Sequence, residues 1–168
     1  MNLKRLNRSV VCLLATAAAL SACSSTTVSS PDGKGTVKIE GNGTTYTATT
    51  TDGSFTMTAG ASAKFPSSFV LPQYPGSTCQ MTVDSKMNGK TGAGDSVMLV
   101  TSDSIAKVID HYKSWLESNG WKIDAAVSMD ANGMLSASKG PQTATVAAVT
   151  TAKESGSETS ITLAVQSH

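Results

Sequence analysis

Residues 102–121 read SDSIAKVIDHYKSWLESNGW and decide how the chain folds. Apolar residues recur in this stretch at every third or fourth position, which predicts an α-helix over residues 103–118 with one apolar face. Ser102 or Asp103 is expected to cap its beginning, and Gly120 is expected to end it. We expect the apolar face to pack on a core; its members are Ile105, Val108, Ile109, Tyr112 and Leu116.

On both sides of the helix, apolar and polar residues alternate with the period of two that indicates β-strands. Two strands are predicted before the helix and four after it, separated by turn signals such as Asn132-Gly133. A single helix covering one face of an antiparallel sheet is an α+β arrangement, here with the order ββαββββ over residues 61–168. The predicted strands span residues 78–86, 94–101, 121–128, 134–139, 142–151 and 159–166.

A second alternating segment precedes this domain. Residues 36–60 carry turn signals at 41–43 and 52–53, which predicts a small three-stranded β-meander. The connector over residues 61–76 is rich in proline, which disfavours a helix. Because several large apolar residues lie between the prolines, we expect the connector to run along the surface of the core.

The first 22 residues are typical of an export signal. Lys4, Arg5 and Arg8 form a basic start, and an apolar run of eleven residues follows over 10–20. Because a membrane-spanning helix needs about 20 apolar residues, this run is too short to remain as an anchor. Residues 1–22 are therefore expected to be a signal peptide that is removed.

The sequence Leu20-Ser21-Ala22-Cys23 resembles the lipobox of bacterial lipoproteins. The resemblance implies cleavage between Ala22 and Cys23, an acyl group on the Cys23 thiol, and attachment of the domain to a membrane outside the cytoplasm. Ser24 stands where an Asp tends to retain such proteins at the inner membrane, so the outer membrane is the expected destination in a host that has one. The alternative is an ordinary secretory signal with a chance cysteine.

The segment over residues 23–35 is rich in Ser, Thr and Gly and is expected to be a lipidated, flexible tether. Removal of the signal takes away three of the 13 basic residues and leaves 10 against 12 acidic ones, a net charge of −2. No basic cluster is present, so the composition argues against a nucleic-acid partner.

A second resemblance involves residues 71–77, LPQYPGS, and the helix that follows. Together with Val108, Tyr112, Leu116 and Gly120-Trp121 they are similar to a recurrent domain of bacterial exported proteins and lipoproteins. That domain shares a Pro-x-Tyr-Pro-Gly entry, a Val-x-x-x-Tyr-x-x-x-Leu helix and a Gly-Trp exit. The similarity covers residues 65–130 and implies a small extracytoplasmic α+β module, without implying an activity.

Residues that carry chemistry are few. His111 lies on the helix one step from the apolar face and is expected to be solvated or capping, while His168 is the terminal residue. Cys79 is the one cysteine left after the signal and Cys23, and is expected to be a buried structural thiol. No spacing of ligands predicts a metal site, and no motif predicts a cofactor. A Ser-His-carboxylate arrangement through His111 stays open as the alternative.

The aromatic residues Tyr112, Trp115 and Trp121 concentrate near the end of the helix. They are expected to form a core cluster, or, as the alternative, to offer an exposed contact anchor. These observations lead us to expect a non-enzymatic binding or structural module, anchored in the bacterial cell envelope and contacting an envelope protein. The alternative is an envelope hydrolase or an accessory subunit of an envelope enzyme.

Overall fold

The computed structural model describes residues 25–30, 34–40, 44–87, 94–153 and 156–167. In these residues ten antiparallel strands form one sheet, and one α-helix packs on it, which confirms the predicted α+β class. The signal over residues 1–22, the cleavage site at Ala22 and Cys23, and the terminal His168 lie outside the described residues. No helix within the described residues has the length and apolar character needed to cross a membrane.

The order of strands across the sheet is β1-β2-β3-β4-β5-β6-β10-β9-β8-β7. The helix α1 spans Ile105–Ser118, and a single 3-10 turn spans Gly60–Ser62. The strands are β1 Ser25–Ser29, β2 Gly35–Glu40, β3 Thr45–Thr50, β4 Gly53–Ala59, β5 Thr78–Met87, β6 Gly94–Thr101, β7 Lys122–Ser128, β8 Asn132–Lys139, β9 Gln142–Lys153 and β10 Gly156–Ser167.

Helix α1 begins at Ile105, two residues later than predicted. Ser104 has extended backbone angles, and its hydroxyl accepts a hydrogen bond from the backbone N–H of Lys107 at 3.5 Å. Ser104 is therefore the N-cap, and the assignment of Ser102 or Asp103 to that position is wrong. The side chain of Asp103 is engaged elsewhere, as described below.

The end of α1 follows the prediction. Gly120 has φ of 75°, a left-handed angle that residues with a Cβ rarely adopt. Its N–H donates to the carbonyl of Glu117, and the N–H of Trp121 donates to the carbonyl of Leu116 at 2.9 Å. These two bonds make a Schellman motif, in which Trp121 returns to pack on the helix that it follows.

The core lies between α1 and the C-terminal part of the sheet. Helix α1 covers β7, β8 and β9, and the proline-rich connector continues this cover with Leu71 and Tyr74, as predicted. Leu71, Val108 and Leu116 are each 0% exposed, so the layer between helix and sheet is filled by side chains. The sheet contributes Val97, Leu99, Leu135, Val146, Ile161 and Leu163 to this core.

Gly133 does not form the turn that Asn132-Gly133 predicts; it lies inside β8, directly beneath α1. A Cβ at this position would come within 2.6 Å of Ile105 Cγ2 and 2.9 Å of Ile109 Cγ1. The glycine is thus used for close approach of the helix to the sheet. The tight connection is displaced toward Met129, whose N–H donates to the carbonyl of Asn132 at 2.8 Å.

The N-terminal strands β2–β4 form the three-stranded meander expected over residues 36–60, and they are part of the one sheet. Strand β4 pairs with β5 from Gly53 opposite Met87 to Ala59 opposite Met81, so one sheet runs through both parts. Ser25–Ser29, expected to lie in a flexible tether over 23–35, form β1 and pair with β2 at five positions. Thr and Val favour extended structure, and β2 without β1 would leave a row of unpaired backbone groups at its edge.

The depth of the core predicts the effect of shortening Leu116. Leu116→Ala is expected to lower the free energy of unfolding by about 2–5 kcal/mol, because it removes buried methyl groups and leaves a cavity. Urea unfolding followed by tryptophan fluorescence measures this change. Lys113→Ala, at an exposed position on the same helix, is the matched control. An effect of Leu116→Ala below about 0.5 kcal/mol would contradict the helix-to-sheet packing.

Candidate functional site

The aromatic residues singled out from the sequence belong mainly to the core. Tyr112 is 0% and Trp121 is 5% exposed, so neither of them is the exposed contact anchor considered above. Both are buried because α1 and the Schellman turn direct them at the sheet. Trp115 is half-buried and packs against the margin of the core. The expected core cluster describes Tyr112 and Trp121, with Trp115 packed against it.

The connector is held on the beginning of α1 by polar contacts. The Tyr74 hydroxyl donates to Oδ2 of Asp103 at 2.9 Å, and the Tyr112 hydroxyl donates to the carbonyl of Pro72 at 3.1 Å. The Tyr74 ring meets the His111 ring edge-on, with centroids 5.0 Å apart. The hydroxyl of Thr159, on β10, donates to the Asp103 carbonyl at 2.6 Å. Connector, helix and sheet therefore converge on Asp103.

This convergence shifts the pKa values of the groups involved. Burial, with the hydrogen bond to Asp103, raises the pKa of Tyr74 to about 12. The hydrogen bonds from Tyr74 and Lys107 hold the pKa of Asp103 below its ordinary 3.8. Burial raises the pKa of Tyr112 and lowers that of His111. Each shift keeps its group in the charge state that holds the connector in place.

His111 offers little for catalysis. Its Nε2 is buried and has no hydrogen-bond partner among the described residues, so this nitrogen activates no serine. The carboxylate of this cluster, Asp103, accepts hydrogen bonds from Tyr74 and Lys107. In the part of the chain that the structure describes, no three His, Cys, Asp or Glu side chains are grouped as metal ligands.

Cys79 lies at an open cavity of 420 Å³ between the 3-10 turn and the start of β5. Its thiol donates weakly to the carbonyl of Met81 at 3.8 Å, and burial raises its pKa. A raised pKa keeps the sulfur in the unreactive thiol form at neutral pH. Cys79 is half-buried at the edge of the core and lacks the features of a nucleophile.

The most distinctive surface is the sheet face opposite α1, which we call the open face. In β1–β4 the apolar side chains point to this face and pair with one another across the strands: Val28 with Val37, and Ile39 with Tyr46. No described segment covers them, and Val28, Val37 and Phe55 are 39%, 38% and 41% exposed. We call this part of the open face the N-terminal zone; it consists of Val28, Val37, Ile39, Tyr46, Phe55 and Met57.

The register shows why these side chains point away from the helix. Val97 belongs to the buried core shared with α1 and the connector, and it lies opposite Thr82, which lies opposite Thr58. Thr58 in turn lies opposite Thr45, and Thr45 lies opposite Glu40. The helix-side face is therefore polar in β2–β4. Hydroxyl pairs such as Thr45 with Thr58, at 3.5 Å, line it. A polar face needs no cover, whereas the apolar face behind it does.

Charge is divided between the two faces in the same way. Among the described residues of β1–β6, every charged side chain lies on the helix side and none on the open face, as the pairing register shows. Lys38 and Glu40, on β2, form an ion pair on that side at 2.6 Å. Exposed apolar surface without charge is the kind that contact sites on proteins use. The five charged residues are Lys38, Glu40, Asp84, Lys86 and Asp95.

The open face carries a second apolar group at the other end of the sheet, which we call the C-terminal zone. It consists of Val127, Met134 and Val149, which are 43%, 48% and 50% exposed. Val127 on β7 lies opposite Met134 on β8. Strand β7 is also an outer strand, so this zone adjoins unpaired backbone groups. On β10, between the two zones, this face carries small side chains such as Ser160, Thr162 and Ala164.

The sequence of β2 alone indicates that the sheet has one charged and one apolar face. Lys38 and Glu40 alternate with Val37 and Ile39, which separates charge from apolar surface within β2. The pattern identifies two different faces. It does not tell which of them the helix covers, because that depends on the pairing of β4 with β5.

An antiparallel sheet with one helix on one face and an open opposite face defines a small α+β domain. The family model for START domain-like proteins matches residues 79–166, from the start of β5 to the end of β10. This match covers just over half of the 168 residues, and the chain belongs to that family. No curated protein and no solved structure matches the chain significantly.

The contacts of Asp103 predict a dependence of stability on pH. Because the folded state lowers the pKa of Asp103, its ionised form stabilises the fold above pH 3.8, and this contribution is lost as the pH falls through the folded pKa. Asp103→Asn is therefore expected to be less stable than the natural protein at neutral pH, with a gap that narrows below pH 3.8. Urea unfolding across this range measures the gap.

Asp110→Asn, at an exposed position on the same helix, is the control for losing one negative charge. A gap for Asp103→Asn that is equally large at neutral and acid pH would show that the carboxylate charge is not what holds Tyr74.

Proposed function

We propose that this chain is a lipid-anchored lipoprotein of the bacterial cell envelope, and that its domain works as a non-enzymatic binding module. The observation that carries the binding role is the open face. Exposed apolar side chains at both of its ends have no cover among the described residues. Apolar surface of this kind costs solubility, and proteins keep it where it contacts something.

The state of the ionisable groups favours binding over catalysis. The groups with shifted pKa values hold the connector, the helix and β10 together, and the Cys79 thiol is unreactive at neutral pH. START-like domains generally bind ligands rather than catalyse reactions. Among the described residues no geometry favours the hydrolase alternative.

Membrane attachment rests on the sequence Leu20-Ser21-Ala22-Cys23. We propose that Cys23 carries the acyl anchor after cleavage behind Ala22, and that the domain lies outside the cytoplasm. Ser24 favours the outer membrane where the host has one. Two or more acyl chains suffice for stable attachment, whereas one does not.

The C-terminal zone is the part of the open face that suits an envelope protein as partner. Val127, Met134 and Val149 supply apolar contact, and the free edge of β7 supplies backbone donors and acceptors in extended geometry. A segment of another protein added beside β7 would satisfy these groups and cover the apolar side chains together.

Lipid labelling tests the anchor. Cys23→Ser is expected to abolish incorporation of radioactive fatty acid, because the acylated thiol is gone, while Cys79→Ser leaves it unchanged. Fatty-acid labelling of cells followed by immunoprecipitation measures both. Labelling that persists in Cys23→Ser would refute the lipoprotein assignment.

Photocrosslinking in cells tests the binding zone. A photoreactive amino acid at Val127 is expected to give one discrete protein adduct, and the same group at exposed Lys113 of α1 is expected to give none. Met134→Thr removes an apolar neighbour of Val127 and is expected to reduce that adduct severalfold. Equal adducts from both positions, or no effect of Met134→Thr, would argue against the C-terminal zone as the partner's site.

A further inference from the structure

The N-terminal zone of the open face lies close to the proposed anchor. Strand β1 begins at Ser25, two residues after Cys23. Because an extended chain spans at most about 3.3–3.6 Å per residue, Ser25 is within about 7 Å of the acylated residue. The strand is then fixed to β2 through five paired positions. The acyl chains therefore hold one corner of a rigid sheet, rather than a long tether, at the bilayer.

The two faces of that corner differ in what they can place against lipid. The helix-side face of β1–β4 carries Lys38 and Glu40, whose side chains are 48% and 43% exposed. Moving such charges toward hydrocarbon is costly. The N-terminal zone presents uncharged side chains, among them Val37, Tyr46 and Phe55. The backbone groups between β1 and β4 are paired within the sheet, so the unpaired groups of this corner are confined to the outer edge of β1.

We propose that the N-terminal zone rests on the bilayer that holds the Cys23 acyl chains, with α1 on the side away from the lipid. The inference rests on the lipid anchor of the proposed function and deepens it by naming the lipid surface as the occupant of this zone. In this orientation Tyr46 lies at the boundary between headgroups and hydrocarbon, a position that suits its amphipathic ring.

The contact is apolar and uses no basic side chain. It is therefore independent of anionic lipid and of salt concentration, unlike the docking of a basic patch. The C-terminal zone is toward the far edge of the same sheet, four to six strands beyond β4, which leaves it available to a protein partner.

Depth-dependent fluorescence quenching tests this orientation on the full lipidated chain. In a Cys79→Ser background, Val37→Cys and Thr36→Cys place a fluorophore at neighbouring positions of β2 on opposite faces of the sheet. Phe55→Cys and Thr56→Cys are the equivalent pair on β4. Each protein is reconstituted into phosphatidylcholine vesicles that contain brominated acyl chains, with and without phosphatidylglycerol.

We expect quenching at positions 37 and 55 to exceed that at 36 and 56 at least about threefold, with the same ratio in both lipid mixtures and at high salt. Thermal unfolding of each labelled protein shows that the fold is retained. Because there are two pairs, the test survives the failure of one variant to fold.

Other results overturn the inference. Equal quenching within both pairs means that the sheet stands away from the bilayer. Protection of positions 37 and 55 from lipid-borne and water-borne quenchers alike means that a second copy of the chain covers the zone. Mass spectrometry of the purified protein separates these failures from a failure of the proposed function: a chain without an acyl group on Cys23 refutes the anchor, and the inference falls with it.

Discussion

The pairing of β4 with β5 is the constraint on which the surface of this protein depends. Successive side chains of a strand point to opposite faces, so the register of one pair of strands fixes the faces of every strand beyond it. Met57 lies opposite Val83, and Thr58 lies opposite Thr82. This choice puts the threonines of β2–β4 on the side of the helix and their apolar residues on the open face. A shift by one residue would place those apolar residues beside Asp84 and Lys86 instead.

The helix-side face of the sheet is packed differently in its two halves. From β6 onward, α1 and the connector bury the core residues of the helix-side face, with Leu99, Leu135 and Leu163 at 0% exposure. In β1–β4 no helix is present on that side, and the face is built from hydroxyl pairs that water can solvate. The apolar side chains then have one place left, the opposite face. The apolar character of the N-terminal zone is thus linked to the absence of helix cover on the other side of β1–β4 among the described residues.

The sequence predicts well what depends on neighbours along the chain. The period of α1 identifies all five of its buried residues, and Gly120 marks its end, because both depend on local geometry. Gly133 is misread as a turn, since a glycine serves turns and close packing equally and only the position of α1 distinguishes them. The prediction of a tether over Ser25–Ser29 is wrong. All five residues are exposed, so no apolar pattern marks them as a strand, and pairing with β2 holds them extended. The side of the open face likewise follows from contacts that are distant in sequence, above all the pairing of β4 with β5.

The placement of β10 has a consequence for how the chain reaches this structure. Every neighbouring pair in the described sheet joins consecutive strands except β6 and β10, which pair from Thr101 opposite Thr159 to Gly94 opposite Gln166. The last described strand is therefore a central strand, and the core is incomplete without its side chains Ile161, Leu163 and Val165. A ribosome that has not yet released residues 156–167 holds a nascent chain whose hairpins can form but whose two halves cannot be joined. Completion of the sheet therefore waits until β10 has been synthesised, and loss of β10 would divide the sheet rather than trim its edge.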